Sequence, residues 1–248
     1  MATYLSPKQR EMQERREALL ETARSLLLKR GYHGLTMARI ASALDCAKAT
    51  VYQYFPCKEE IIIALAHRST RLQGELVERA ARFSGRTRER MLAVGEATEL
   101  FARLYPEDTR IFQLMSAEAI TQKASQESLW RMKNTANHTV SVMNGIVRDA
   151  IAQGDVTFED EKTIQEFTYQ VWLLGESSKV APWSWMPPAE LGVEDPFAAM
   201  FRNGQVIGDA YGWRPLSTEW DYGETLQRVR REIFPAESRK VYGMDHGA

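Results

Sequence analysis

Residues 31–61 read GYHGLTMARIASALDCAKATVYQYFPCKEEI. Ile40, Ala41 and Leu44 recur at steps of one, three and four, which is the apolar face of a short helix. Thr36 stands just before them as an N-cap, its hydroxyl placed to accept from first-turn amides. Asp45, Cys46 and Ala47 leave room only for a turn, and Lys48 to Phe55 begins a second short helix whose Val51 and Phe55, four apart, lie on the first. Two short helices joined so tightly predict a helix-turn-helix. The second helix turns Lys48, Thr50, Tyr52, Gln53 and Tyr54 outward, with Lys58 just beyond; Arg39 and Ala49 complete the predicted surface. Lysine and hydroxyl groups bond phosphate oxygens, and glutamine reaches adenine edges. Thr36, Thr50, Tyr52, Tyr54 and Lys58 are expected to grip phosphates, with Lys48 and Gln53 nearest the base edges.

The same residues resemble the amino-terminal signature of the TetR family of bacterial transcriptional regulators. The matching positions are Gly31-Tyr32, Leu35-Thr36, Ile40-Ala41, Lys48, Thr50, Tyr52, Phe55, Lys58 and Glu59, within a span of roughly residues 10–65. Asp45 stands where that family usually has glycine, Ala47 where it often has serine, and Ala49 where glycine is common. Without the serine hydroxyl, Asp45 or a phosphate has to meet the N–H groups that open the second helix. The resemblance implies a homodimer on double-stranded DNA at a near-palindromic operator. It also implies a small-molecule effector, apolar or aromatic, bound in a helical body, and a connecting helix after Lys58 that transmits motion to the DNA reader.

The chain of 248 residues, 44% hydrophobic, accommodates a small head over residues 1–57 and a larger body over 58–248. No apolar run approaches the roughly 18 residues of a membrane span, and MATYLSPKQREMQERR lacks the apolar stretch of a signal peptide, so a cytoplasmic protein without a membrane partner is expected. Cys46 and Cys57 match no zinc spacing, and His33, His67, His138 and His246 are scattered; no metal or cofactor is expected. Residues 1–60 hold ten Lys or Arg against seven Asp or Glu, a balance of +3; with the whole chain at -1, the rest sums to -4. Positive charge therefore sits on the DNA side. No glycine-rich phosphate loop or nucleophile elbow occurs, and the pairs Glu59-Glu60 and Glu107-Asp108 fall at helix starts, where they complement the helix dipole; an enzyme is not expected.

No strand pattern of any length appears, so the fold class is all-α: an N-terminal three-helix head with the helix-turn-helix, then a helical effector-binding and dimerisation body. Helices are predicted over Pro7–Arg30, Lys58–Phe83, Arg88–Leu104, Thr109–Ala119, Gln126–Gln153, Thr163–Lys179, Pro196–Tyr211 and Tyr222–Phe234. Phe101, Tyr105, Phe112, Met115, Trp130, Met132, Met143, Phe167, Tyr169 and Trp172 suit either plain core or an adaptable apolar pocket for the effector. Thr163–Lys179 carries apolar residues around its axis, as expected of a helix covered on more than one side. Phe197, Met200, Phe201, Gly204, Gly208 and Tyr211 form one face and are assigned to a dimer interface, intrachain packing being the alternative. The tail after Trp213 has no assigned role, and its last ten residues are expected to lack order. Two other function classes stay open, a ligand-independent DNA-binding dimer and a helical enzyme or interaction scaffold.

Overall fold

The computed structural model describes residues 6–115 and 118–243, with the side chains of Met115 and Glu118 outside the described set. Among the described residues all regular structure is helical. The chain forms two compact units. The first takes the chain up to Ser69 together with Ile111–Lys133; the second takes Thr70–Arg110 and the chain from Asn134 on. The division therefore differs from a cut at residue 57, because Ile111, Ile120 and Met132 join the core of the first unit.

In the first unit, α1 (Pro7–Gly34) opens on a capping box: the Gln9 N–H donates to Ser6 Oγ (3.3 Å), and the Ser6 N–H donates to Gln9 Oε1 (2.8 Å). Gly31, at φ 68°, breaks the regular helix where the sequence places a stop, and one further turn follows. α2 (Met37–Ala43) is capped by Thr36, whose hydroxyl accepts from the Arg39 N–H at 3.2 Å. It ends in a Schellman turn, with the Cys46 N–H on Ala41 O (3.0 Å) and the Asp45 N–H on Ser42 O (3.4 Å). Asp45 occupies the left-handed position of that turn at φ 47°. This is the place where the family resemblance leads one to expect glycine, and aspartate is among the few other residues that tolerate it. α3 is Lys48–Tyr54 and α4 is Lys58–Ala81. Ile40, Val51, Phe55, Ile61 and Ile62 are fully or almost fully buried together; each contributes about 1.5–3 kcal/mol of transfer free energy.

After α5 (Thr87–Leu104), α6 (Pro106–Met115) starts on Pro106, which serves as a first-turn residue of the new helix as well as the stop of the old one. The short α7 (Glu118–Thr121) follows, then α8 (Gln126–Gln153). The amino end of α8 is held by Glu60, whose carboxylate accepts from the Ser125 N–H (2.5 Å) and the Ser128 hydroxyl (2.6 Å). Burial alone would raise the Glu60 carboxyl; the Ser128 and Ser125 hydrogen bonds hold it below the usual carboxylate range.

The second unit is built on α5, which is buried on all sides, alongside α9 (Glu161–Val180), α10 (Pro196–Ala210), α11 (Tyr222–Glu232) and α12 (Pro235–Tyr242). Four charged side chains of α5 are buried: Arg88, Glu89, Glu96 and Glu99. The tail supplies most of their partners. Arg230 grips Glu96 in bidentate fashion (2.8 and 2.9 Å), the Tyr242 hydroxyl donates to the same carboxylate (3.1 Å), and the Thr225 hydroxyl donates to Glu89 (2.8 Å). Burial, then the neighbouring Glu96, pushes the Glu99 carboxyl upward against the pull of Arg103. The segment after Trp213 is thus a structural cover for α5, ordered through Tyr242, and residues 244–248 lie outside the description.

Candidate nucleic-acid interface and body cavity

α3 presents its two sides very differently. Val51 and the capping Phe55 are buried, while Lys48, Ala49 and Gln53 are exposed and Tyr52 retains 46% of its surface. Lys48 Nζ lies 5.5 Å from the Tyr52 ring centroid, so a cation and a phenol share one outward patch. Thr50 is half-buried, and Tyr54 packs its ring against the core of the first unit. Three other predicted contacts are engaged by the protein itself. The Thr36 hydroxyl is the cap of α2, Arg39 Nη1 donates to Gly34 O (2.8 Å), and Lys58 Nζ donates to Tyr32 O (2.9 Å) while sitting 3.7 Å from the Tyr32 ring centroid. Tyr32 in turn donates to Glu59 Oε1 (2.6 Å), and that bond, with burial, pushes its phenol up to about 12. The outward, unanchored groups are therefore Lys48, Ala49, Tyr52 and Gln53, a narrower set than the sequence suggested.

Ala47 caps α3 without a side-chain hydrogen bond. Ala47→Ser restores the missing acceptor, and the expected result is a gain of about 0.5–2 kcal/mol in thermal unfolding. An unchanged melting temperature would mean that the first amides of α3 are already satisfied by another route.

The second unit holds a partly open cavity of about 90 Å³. Its wall is mainly apolar, with Val77 from α4, Met91 from α5, Met143 from α8 and Phe167 and Trp172 from α9. Met143, Phe167 and Trp172 come together in that wall. The other pocket candidates are corrected. Phe101 is packed in the core with Tyr105 against it, at 5.7 Å between ring centroids. Phe112 belongs to the first unit's core, and Trp130 is 63% exposed on α8; the Met115 side chain lies outside the described residues.

The dimer face read from α10 is corrected too. Phe197 and Met200 are buried; Met200, Phe201, Gly204 and Gly208 line the cavity; Tyr211 packs edge-on to Phe167 at 4.9 Å. Gly208 allows close approach, but to Arg88 of the same chain, whose Cζ would lie 2.8 Å from an added Cβ. Cavity groups that composition did not reveal are Gln73, Arg88, Thr98, Thr139, Glu176 and Gln205. Their signal was polarity at an apolar register: Gln73-Val77-Ala80 and Phe201-Gln205-Gly208 both step by four and then three.

Residues 19–65 match the family profile described as bacterial regulatory proteins, tetR family. The HTH-type transcriptional repressor KstR of Mycolicibacterium smegmatis is 26% identical over 164 residues, 64% of this chain and 74% of that protein. Residues 19–65 are thus a TetR-family amino-terminal domain. The transcriptional activator FasR of the same organism is similar to this chain over a shorter span, 34% identical across 84 residues, 34% of this chain and 38% of FasR. The TetR-family fold extends through the body. FadR from Bacillus subtilis, solved with stearoyl-CoA, superimposes with a TM-score of 0.59 at 16% identity, over 77% of this chain and 96% of its own. The family is one of transcriptional regulators rather than enzymes. Among the described residues no group of three or more His, Cys, Asp or Glu could hold a metal ion, and no helix is long and apolar enough to cross a membrane.

Proposed function

We propose that the chain is a homodimeric repressor that places α3 of each subunit in successive major grooves of a near-palindromic operator and is released by a small, mainly apolar effector bound in the body cavity. The observation that carries this reading is the outward patch of Lys48, Tyr52 and Gln53 set on a helix whose opposite side is buried. Two-fold symmetric proteins read two-fold sites, with half-sites one helical turn apart. The α4 helix runs without interruption from Lys58, next to α3, to the cavity residues Gln73 and Val77, so occupancy of the cavity bears on the same element that follows the reader. The stearoyl-CoA complex of FadR supports a ligand with a large apolar part in a body of this fold. Moving a population from 1:99 to 99:1 asks the effector to prefer the released state by about 5.5 kcal/mol.

For the dimer, the exposed apolar residues of α9 and α10 replace the inward-facing set: Tyr169 (56% exposed), Leu173 (43%) and Val206 (66%). Operator titration in gel shift at several salt concentrations tests the reading. With 6–10 phosphate contacts, affinity falls by about 10³–10⁵ between 50 and 200 mM salt. Leu173→Glu is expected to yield monomers in light scattering and to lose tight operator binding with them. Salt-independent binding, or no preference for any promoter fragment, would remove the regulator reading.

A further inference from the structure

Two buried cations stand at the cavity, Arg88 in its wall and Lys179 behind it, and both are already occupied. Arg88 donates through Nη1 to Asp209 Oδ1 (2.7 Å), Trp213 O (2.5 Å) and Pro215 O (2.9 Å), and through Nη2 to Gln205 O (2.9 Å) and Gln205 Oε1 (2.8 Å). Lys179 stands behind the wall, bonded to Glu176 (2.7 Å) and to Gln73 Oε1 (2.8 Å). Burial pushes its ammonium below the ordinary lysine value, against the pull of Glu176. Both glutamines line the cavity.

A cation can bond a carboxamide only through its oxygen. Lys179 therefore fixes the Gln73 amide, and Arg88 the Gln205 amide, with the carbonyl end engaged and the NH2 end left over. Among the described residues neither NH2 has an acceptor. The cavity thus offers an apolar wall with two oriented neutral donors. It offers no uncommitted positive charge, and Glu176 adds a carboxylate to the lining. A ligand carboxylate would enter without a counter-ion and beside a like charge, and leaving water in that condition is costly. A ligand ammonium would find Glu176 already paired with Lys179 and would face Arg88 and the two donors. A carbonyl oxygen on an apolar body is matched on both counts.

On the reading that this cavity is the effector site, we propose that it selects uncharged, mainly apolar ketone- or ester-type molecules whose carbonyl oxygen accepts from the Gln73 or Gln205 carboxamide. Gln73 and Gln205 are then the residues that set ligand charge, with Lys179 and Arg88 orienting them.

The test uses the full chain and three soluble probes of matched length, 2-octanone, octanoate and octylammonium, read by quenching of tryptophan fluorescence, since Trp172 and Trp213 line the cavity. The expected order is 2-octanone well ahead of both ions. Gln73→Glu and Gln205→Glu keep an oxygen for Lys179 and Arg88 but remove the NH2. At least one of them is expected to weaken 2-octanone by about fivefold, the worth of one neutral hydrogen bond, and to improve octylammonium relative to it. Octanoate binding as tightly as 2-octanone in the unaltered chain overturns the proposal, and that comparison holds even if a variant fails to fold. So does unchanged 2-octanone binding in both folded variants. Operator gel shift on the unliganded chain separates the two readings. Retained DNA binding with no response to any probe sinks the ligand class alone; probe selectivity without DNA binding sinks the regulator and leaves the site chemistry standing.

Discussion

Lys48→Ala and Tyr52→Ala are each expected to weaken operator binding by about 10- to 100-fold, and together by about 10³-fold, while thermal unfolding moves by less than about 1 kcal/mol. The asymmetry follows from burial. Both side chains stand on the exposed side of α3, and neither is part of the buried cluster that holds the first unit together. A base-edge or charge-assisted phosphate contact is worth about 1–3 kcal/mol, whereas surface substitutions away from the core stay near ±0.5 kcal/mol. Lys48→Ala also lowers the slope of log affinity against log salt by about one if the ammonium reaches a phosphate, and leaves it unchanged if it reaches a base. Lys58→Ala serves as the contrast. Its ammonium already donates to Tyr32 O, so its loss from DNA binding is expected to be smaller than that of Lys48. Gel shift beside circular-dichroism melting reads both quantities. Wild-type affinity in the double variant would show that another surface reads the operator; a collapsed melt would show that the two residues support the fold.

What sequence could reveal here depended on how far apart the interacting groups lie. Thr36, Ile40, Val51 and Phe55 act within one turn or across a three-residue connection, and the structure buries or caps them as their spacing required. Asp45 illustrates the same locality: a residue out of pattern in the turn takes the left-handed backbone that glycine would have taken. The body was less legible because its decisive pairs are remote. Glu96 and Arg230 are 134 positions apart, and each reads alone as an ordinary surface charge on an amphipathic helix. An apolar stripe on α10 likewise does not say whether its partner is the same chain or a second copy. The choice falls to the same chain because Arg88, 121 positions from Asp209, comes to rest against that stripe.

Gly208 and Gly204 turn that packing into opposite expectations within a single helix. A methyl at Gly208 would stand 2.8 Å from Arg88 Cζ and 2.9 Å from both Nε and Nη2, closer than any real Cβ contact. Arg88 is a long side chain, but its far end is not free to yield. It is buried and bonded to five acceptors, and moving it strips hydrogen bonds from a charge with no water to replace them. Gly208→Ala is therefore expected to destabilise by about 2–4 kcal/mol, net of the small helical preference that alanine brings in a last turn, a fall of about 5–15 °C in melting temperature for a chain of this size. At Gly204 nothing lies within 4 Å of the added carbon, which points into cavity space. Gly204→Ala then keeps the ordinary advantage of alanine inside a helix, about 0.5–1 kcal/mol, and raises the melting temperature by a few degrees. Differential scanning calorimetry on the two variants reads both signs. If Gly208→Ala melts with the unaltered chain, the guanidinium has room to move, and the claim that Arg88 is closed to an anionic ligand falls with the stability argument. If Gly204→Ala lowers stability as much as Gly208→Ala does, the two glycines face the same crowded wall, and the space between α10 and α5 is packing rather than a site.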